Sequence, residues 1–142
     1  MWEGDLEFGM DHSVTEGIVV MTIRGPMDVA TVPQLRDTLI GLIDEGHDRF
    51  VFEMSAVDFI DSIGLGVIVG VVHRLRPHDG ALALAAPSAH ARKAFHITQL
   101  TRVLSLHDTV EDALAAVRAG TATLSTTRPV TSRPPASPGP PA

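Results

Sequence analysis

Residues 59–70 read FIDSIGLGVIVG. Apolar residues lead up to Asp61 and Ser62 and helical spacing begins just after them, so a strand is predicted to become a helix here. The helix is predicted over residues 62–76 and ends before Pro77. Either Asp61 or Ser62 suits the N-cap position, and the sequence leaves both open. Backbone N–H groups at a helix start lack intrahelical partners, which favours negative charge there.

This predicted helix is apolar on two opposite sides. One side carries Leu65, Ile68, Val69, Val72 and Leu75, and the other carries Ile63, Val67, Val71 and Arg74 beside Gly66 and Gly70. A helix of this kind is either deeply buried or presents one face to a partner. Val67 and Val71 are therefore predicted at a partner surface, with burial under the helix that begins at Ser88 as the alternative.

Glycine is unusually frequent in the first three turns of the same helix. Gly64, Gly66 and Gly70 each cost roughly 1 kcal/mol relative to alanine in a helix interior. Something is therefore predicted to approach the backbone closely, either a partner or a neighbouring element of the same fold.

Outward from this segment, the hydrophobic period alternates between that of strands and that of helices. The strands are predicted at residues 6–10, 18–24, 49–54, 81–86 and 103–106, with a further apolar segment at 57–61. Additional helices are predicted to begin at Thr31, Ser88 and Thr109, the first as a capping box with Gln34, and to end at Gly46, about His96 and Gly120. The first two strands form an antiparallel hairpin around residues 11–17, and the later alternation implies parallel pairing. The predicted architecture is α/β, with a mixed sheet of about five strands and about four helices.

Composition divides the chain and limits its function. Residues 121–142 contain six Pro and five Thr and no acidic residue, so they are predicted to be a disordered tail after a domain at residues 1–120. The formal net charge of −6 argues against binding to nucleic acid or anionic membranes. There is no cysteine, and the longest apolar run, residues 63–72, is about half a membrane span. A cytoplasmic location is expected.

Motifs for catalysis or metal binding do not occur in this sequence. The glycines of residues 64–70 do not have the dinucleotide-binding spacing, there is no P-loop, and Ile60 occupies the first glycine position of a nucleophile elbow. The seven histidines include no pair at i, i+4. Asp58 and Asp61 flank Ser62 without a placed base, as loop and cap residues do. We expect no enzyme activity, no metal and no cofactor.

The motif at residues 59–70 resembles the signature of bacterial anti-sigma-factor antagonists, the STAS domain family, in which a strand ends in Asp-Ser-(Ser/Thr)-Gly-Leu. Upstream, residues 25–28 (Gly-Pro-Met-Asp) and Thr31 match the family's Gly-Glu-Leu-Asp and its helix-capping threonine. Downstream, Pro87 and residues 91–95 match its helix before the last strand. The resemblance covers residues 5–119 approximately, and it implies a STAS-like fold.

The resemblance implies a binding protein in a partner-switching system that regulates transcription, as in stress responses. In that family the unphosphorylated antagonist binds a serine-kinase anti-sigma factor and frees a sigma factor, the kinase phosphorylates the antagonist to switch it off, and a serine phosphatase is a further expected partner. The phosphorylated residue corresponds to Ser62. The implied partner-binding residues are Asp28, Asp61, Ser62, Ile63, Gly64, Gly66, Val67 and Val71. A phosphate on Ser62 is expected to find free N–H groups at the helix start.

Two departures from the family pattern and two alternative functions accompany this interpretation. Ile63 replaces the second Ser or Thr, which leaves Ser62 the only acceptor in the motif, and Pro26 replaces an acidic residue. One alternative is a STAS subunit of another assembly, such as a stress-signalling scaffold or a lipid-transport complex. The other is a small nucleotide- or ligand-binding domain that holds a phosphate at the start of the Ser62 helix.

Overall fold

A five-stranded mixed sheet forms the centre of the molecule. The structure is a computed structural model that describes residues 8–122. The strands are β1 (Gly9–Thr15), β2 (Ile18–Met27), β3 (Arg49–Ile60), β4 (Ala81–Ala85) and β5 (Ser105–His107). They lie side by side in chain order; β1 is antiparallel to β2, and every other pair is parallel. This is the mixed sheet with an N-terminal hairpin that the sequence predicts.

Within residues 8–122, four α-helices cover the two faces of the sheet. They are α1 (Val32–Asp44), α2 (Ser62–Leu75), α3 (Ala89–Ile97) and α4 (Val110–Ala119). The first three share the larger core, whereas α4 packs alone on the opposite face against alternate alanines of β4. Since alanine side chains are short, α4 lies close to the sheet.

The first hairpin differs in detail from its prediction. The strand begins at Gly9 and continues to Thr15, through most of the segment predicted as a turn, and the turn itself consists of Glu16 and Gly17 with φ of 56° and 79°. Residues 11–15 are exposed on an edge strand, so their polarity reflects solvent contact and not a turn. Positive φ at both turn residues is typical of a tight two-residue hairpin.

Strand β3 is longer than predicted because it contains two irregularities. Thr22 pairs with Glu53 but Arg24 pairs with Ala56, and Pro26 pairs with Phe59, so β3 gains one residue at each step. Each extra residue is a bulge that interrupts the alternation of side chains. The segments at 49–54 and 57–61 are therefore one continuous strand that ends at Ile60.

The predicted helix ends are confirmed where a capping side chain or a glycine with positive φ determines them. Ser88 Oγ accepts from the N–H of Ala91 at 3.2 Å, and Thr109 Oγ1 accepts from the N–H of Asp112 at 3.0 Å. Gly46 and Gly120 follow α1 and α4 with φ of 103° and 81°. The last strand begins two residues later than predicted and ends one residue later, since Val103 follows a short 3-10 helix.

The packed part of the chain continues past Gly120. The backbone N–H groups of Thr121 and Ala122 both donate to the carbonyl of Ala116, and Ala122 is only 4% exposed. The remainder of the predicted tail, residues 123–142, lies outside the described residues.

Candidate functional site

Asp28 and Asp61, which were predicted as partner-binding residues, both lie at the carboxyl edge of the parallel strands. Met27 ends β2, Ile60 ends β3, and these two residues pair with each other. Asp28 and Asp61 come directly afterwards, and the N–H of Asp61 donates to the carbonyl of Met27 at 3.3 Å. Ligands and partners of parallel sheets commonly bind at this edge.

Asp61 is the N-cap of α2. Its Oδ1 accepts hydrogen bonds from the N–H of Ile63 at 2.9 Å and of Gly64 at 3.0 Å. This settles the choice that the sequence left open, because Ser62 is then the first residue of the helix. Ser62 is exposed, and its hydroxyl takes no part in the cap.

The same geometry corrects one expectation about phosphate. Free N–H groups were expected beside Ser62, but the carboxylate of Asp61 occupies those of Ile63 and Gly64. A phosphate on Ser62 therefore meets a helix start that already carries a negative charge.

Asp28 has a comparable role at the start of α1. Its Oδ1 accepts from the N–H of Ala30 at 3.0 Å and of Thr31 at 3.3 Å. The predicted capping box is wrong, because the Thr31 hydroxyl donates to the carbonyl of Pro26 at 2.7 Å and accepts from the N–H of Asp28 at 3.0 Å. Thr31 thus holds the β2–α1 loop. Each of the two adjacent strands is followed by a carboxylate that orders the backbone: Asp28 orders the turn before α1, and Asp61 caps α2.

Exposed apolar side chains surround these carboxylates. Val29 is 71% exposed, Ile63 46% and Phe59 44%. The Phe59 ring stacks on His90 with centroids 5.5 Å apart, and a ring nitrogen of His90 lies 3.3 Å from the carbonyl of Ile60. Large apolar groups exposed next to a polar centre are typical of protein-binding surfaces.

Two of these exposed apolar residues, Val29 and Phe59, were not predicted from the sequence, for different reasons. Val29 follows Asp28 in a loop, and an apolar residue in that position was a usable signal. Phe59 is exposed because of the second bulge in β3: Val57 and Ile60 are both buried, and the two residues between them both point outward. No local pattern indicates which side chain a bulge turns out.

Two glycines that were grouped as partner-binding residues differ in environment. A Cβ on Gly64 would lie 2.5 Å from the carbonyl oxygen of Met27, so this buried glycine allows α2 to approach the end of β2. Gly64 is therefore an internal packing residue. Gly66 is exposed, and a Cβ on it would have nothing within 4 Å.

Val67 and Val71 are not on an exposed face. They are 8% and 4% exposed and belong to the main core. They lie on the side of α2 that faces α1, where they line a cavity between the two helices. Neither the predicted exposed surface nor burial under α3 is correct, because sequence periodicity does not show which neighbouring helix covers a face.

Within residues 8–122, no three His, Asp or Glu side chains are grouped closely enough to hold a metal ion. No helix in that part of the chain is long and apolar enough to cross a membrane. The candidate site consists of the exposed Ser62, the carboxylates of Asp28 and Asp61, and the exposed apolar side chains near them.

A mixed sheet that presents a serine at the start of a capped helix, ringed by exposed apolar groups, defines an α/β binding domain. The family model for the STAS domain matches residues 10–113, and the chain belongs to this family.

Several relatives have been described. The chain is 30% identical over 101 residues to the anti-sigma-B factor antagonist of Bacillus subtilis strain 168, covering 71% of this chain and 92% of the relative. The structure of the anti-sigma factor antagonist SpoIIAA in its unphosphorylated form matches with a TM-score of 0.68 and 28% identity, covering 80% of this chain and 97% of that one. The phosphorylated form of SpoIIAA from Bacillus matches with a TM-score of 0.63 and 28% identity, covering 79% and 100%.

Proposed function

We propose that this protein is an anti-sigma factor antagonist that binds a serine-kinase anti-sigma factor, releases a sigma factor, and is switched off by phosphorylation at Ser62. The observation that carries the proposal is the exposed Ser62 hydroxyl, which is free of the capping role because Asp61 performs it. Relatives named as antagonists of anti-sigma factors, one of them known in phosphorylated and unphosphorylated forms, support the assignment.

The binding surface that we propose consists of Asp28, Val29, Phe59, Asp61, Ser62 and Ile63, and we call it the switch surface. Its three apolar residues are suited to be anchors, since buried aromatic and aliphatic groups dominate the energy of protein interfaces. Its two carboxylates already accept hydrogen bonds from backbone N–H groups, Asp28 from the turn before α1 and Asp61 from the first turn of α2, so they are ordered before a partner arrives. Ordered polar groups reduce the entropy lost on binding.

Phosphorylation changes the charge of this surface at its centre. The kinase transfers the terminal phosphoryl group of ATP to the Ser62 oxygen and releases ADP, which adds about −1.5 to −2 charge. The new charge lies next to the Asp61 carboxylate and must compete with it for the N–H groups of Ile63 and Gly64. A partner whose surface fits a neutral hydroxyl would have to remove water from the phosphate and accommodate its charge. Both effects disfavour the complex, so binding is lost.

Phosphorylation followed by intact mass tests the proposal. The wild-type chain, Ser62→Ala and Ser55→Ala are each incubated with a serine-kinase anti-sigma factor and ATP. Ser55 is the matched control because it is an exposed serine on β3. We expect one phosphate on the wild type and on Ser55→Ala, and none on Ser62→Ala. Incorporation into Ser62→Ala at the wild-type rate would contradict the assignment.

The other functions considered from sequence give different results in the same experiment. A STAS subunit of another assembly would take up no phosphate from the anti-sigma kinase. A phosphate-binding site at the start of α2 is disfavoured, because Asp61 occupies the N–H groups that such a ligand needs. No enzyme activity is part of the proposal.

A further inference from the structure

A cavity of about 390 Å³ lies between α1 and α2. Small-molecule sites typically have volumes of roughly 300 to 1,000 Å³ and mostly apolar walls. The walls here are aliphatic side chains of both helices, among them Leu39, Ile43 and Val67, and the cavity is open at the surface. Its size and lining therefore suit a small amphipathic ligand.

Two glycines of α2 keep this cavity open. Gly66 and Gly70 both line it, and a Cβ on either would have no atom within 4 Å. Gly64 contrasts with them, because the end of β2 leaves no room for a side chain there. Glycine inside a helix destabilises it relative to alanine. The absence of side chains at Gly66 and Gly70 therefore leaves space in this cavity at a cost to the stability of α2.

The charged residues that line the cavity are both arginines, Arg36 and Arg74. Both are exposed, and the three ion pairs within residues 8–122 use other arginines. The chain as a whole has a net charge of −6, so two cations beside one apolar cavity are a local exception. An anionic head group fits this arrangement by charge.

The direction of the two helices distinguishes the two arginines. Helices α1 and α2 each connect parallel strands, so they run in the same direction and their N-terminal ends lie at the same end of the cavity. Arg36 lies in the N-terminal half of α1, and Arg74 lies in the last turn of α2, where the helix dipole disfavours an anion. The distance from Ser62 to Arg74 along the axis of α2 is about 18 Å, which is long enough for an extended aliphatic chain to lie between them.

We propose that this cavity binds an amphipathic monocarboxylate of the medium-chain fatty acid class. The carboxylate pairs with Arg36, and the aliphatic chain lies over Gly66 and Gly70 toward Ile43. Ser62 lines the same cavity. A bound ligand would therefore compete with access of a kinase to this serine, a consequence that rests on the proposed function, whereas the binding itself does not.

Calorimetric titration of the full chain with decanoate, below the concentration at which decanoate aggregates, tests the proposal. We expect saturable binding at one site. Gly70→Leu fills the cavity and should weaken binding by at least about tenfold. Gly41→Leu is the matched control, because Gly41 is an exposed helix glycine with open space around its Cβ position and does not line the cavity. It should bind decanoate as the wild type does.

A second pair of variants tests the head group. Arg36→Gln should weaken decanoate binding by about tenfold, whereas Lys93→Gln, which removes an exposed cation from α3, should leave it unchanged. Thermal melting of every variant shows that a loss of binding is not a loss of folding. Decyltrimethylammonium has a comparable chain and the opposite charge, so it should bind more weakly than decanoate.

Three results would overturn the proposal. They are the absence of saturable decanoate binding, binding that Gly70→Leu does not affect, and equal binding of the cationic amphiphile. If decanoate does not bind but Gly70→Leu weakens the complex with an anti-sigma kinase, the cavity belongs to the partner interface and the ligand proposal is wrong. Because the titration uses this protein alone, its failure leaves the phosphorylation test of Ser62 unaffected.

Discussion

At the scale of single residues, adjacent positions in the motif have separate tasks. Asp61 orders α2 through two backbone hydrogen bonds, and Ser62 remains exposed beside it. If serine were the cap, its hydroxyl would be engaged with the helix and less accessible to a partner. The pairing of a capping acid with a following serine thus separates the stability of the helix from the phosphorylation that we propose for Ser62.

Removal of the Asp61 cap should lower stability. Asp61→Ala leaves the N–H groups of Ile63 and Gly64 without their partner, and loss of such a cap costs about 1 kcal/mol. Urea unfolding monitored by circular dichroism measures the change. Asp58→Ala is the control: Asp58 is exposed on β3, and its replacement should change the unfolding free energy by less than about 0.5 kcal/mol. Equal losses in both variants would show that the cap does not stabilise α2.

A charge at Ser62 should reduce binding without unfolding the domain. Ser62→Asp places a carboxylate beside Asp61 on an exposed position, so the circular dichroism spectrum should remain close to that of the wild type. Affinity for an anti-sigma kinase loaded with ADP should fall by at least about tenfold, measured by calorimetry, whereas Ser62→Ala should still bind. Unchanged affinity of Ser62→Asp would argue against electrostatic switching at this surface.

At the scale of elements, residues of α2 lie in three different environments. Ile68 is fully buried against the sheet, Val67 faces α1, and Gly66 lines the open cavity. Only the first turn, with Ser62 and Ile63, reaches the switch surface. An unpaired carboxylate at either Val67 or Ile68 would therefore be buried and would destabilise the fold, so neither position isolates binding from stability.

Two glycines of α2 should respond to alanine in opposite directions. Gly64→Ala brings a Cβ to 2.5 Å from the carbonyl oxygen of Met27, and overpacking of this kind costs roughly 1 to 3 kcal/mol. Gly66→Ala meets nothing within 4 Å and should stabilise the helix by up to about 1 kcal/mol. Melting temperatures of the two variants and the wild type check the signs. A stabilised Gly64→Ala would mean that α2 is not held against the end of β2.

At the scale of the whole molecule, one sheet joins two unequal cores. Helices α1 to α3 contribute to the larger core, and α4 with Ala122 contributes to the smaller one on the opposite face. The smaller core contains mostly alanines and valines, so its stability depends on close approach of α4 and not on large side chains.

The end of the folded region can be measured by shortening the chain. A chain of residues 1–122 should melt within a few degrees of the full chain, because it retains Ala122 and its packing against the α4 face. A chain of residues 1–120 should melt lower, since it loses that packing and the hydrogen bonds from Thr121 and Ala122 to Ala116. Differential scanning calorimetry distinguishes them. A large loss for residues 1–122 would show that later residues contribute to the fold.

Sequence alone determined the order of the elements, the mixed α/β class, the helix caps at Ser88 and Thr109, and the motif around Ser62. These features depend on hydrophobic period and on hydrogen bonds between residues a few positions apart, so the information is local. Tertiary structure decided the exposure of Phe59, the burial of Val67 and Val71, the different uses of Gly64 and Gly66, and the cavity beside Ser62. Each of these depends on strand register or on which helix packs against which, and such long-range contacts leave no fixed spacing in the sequence.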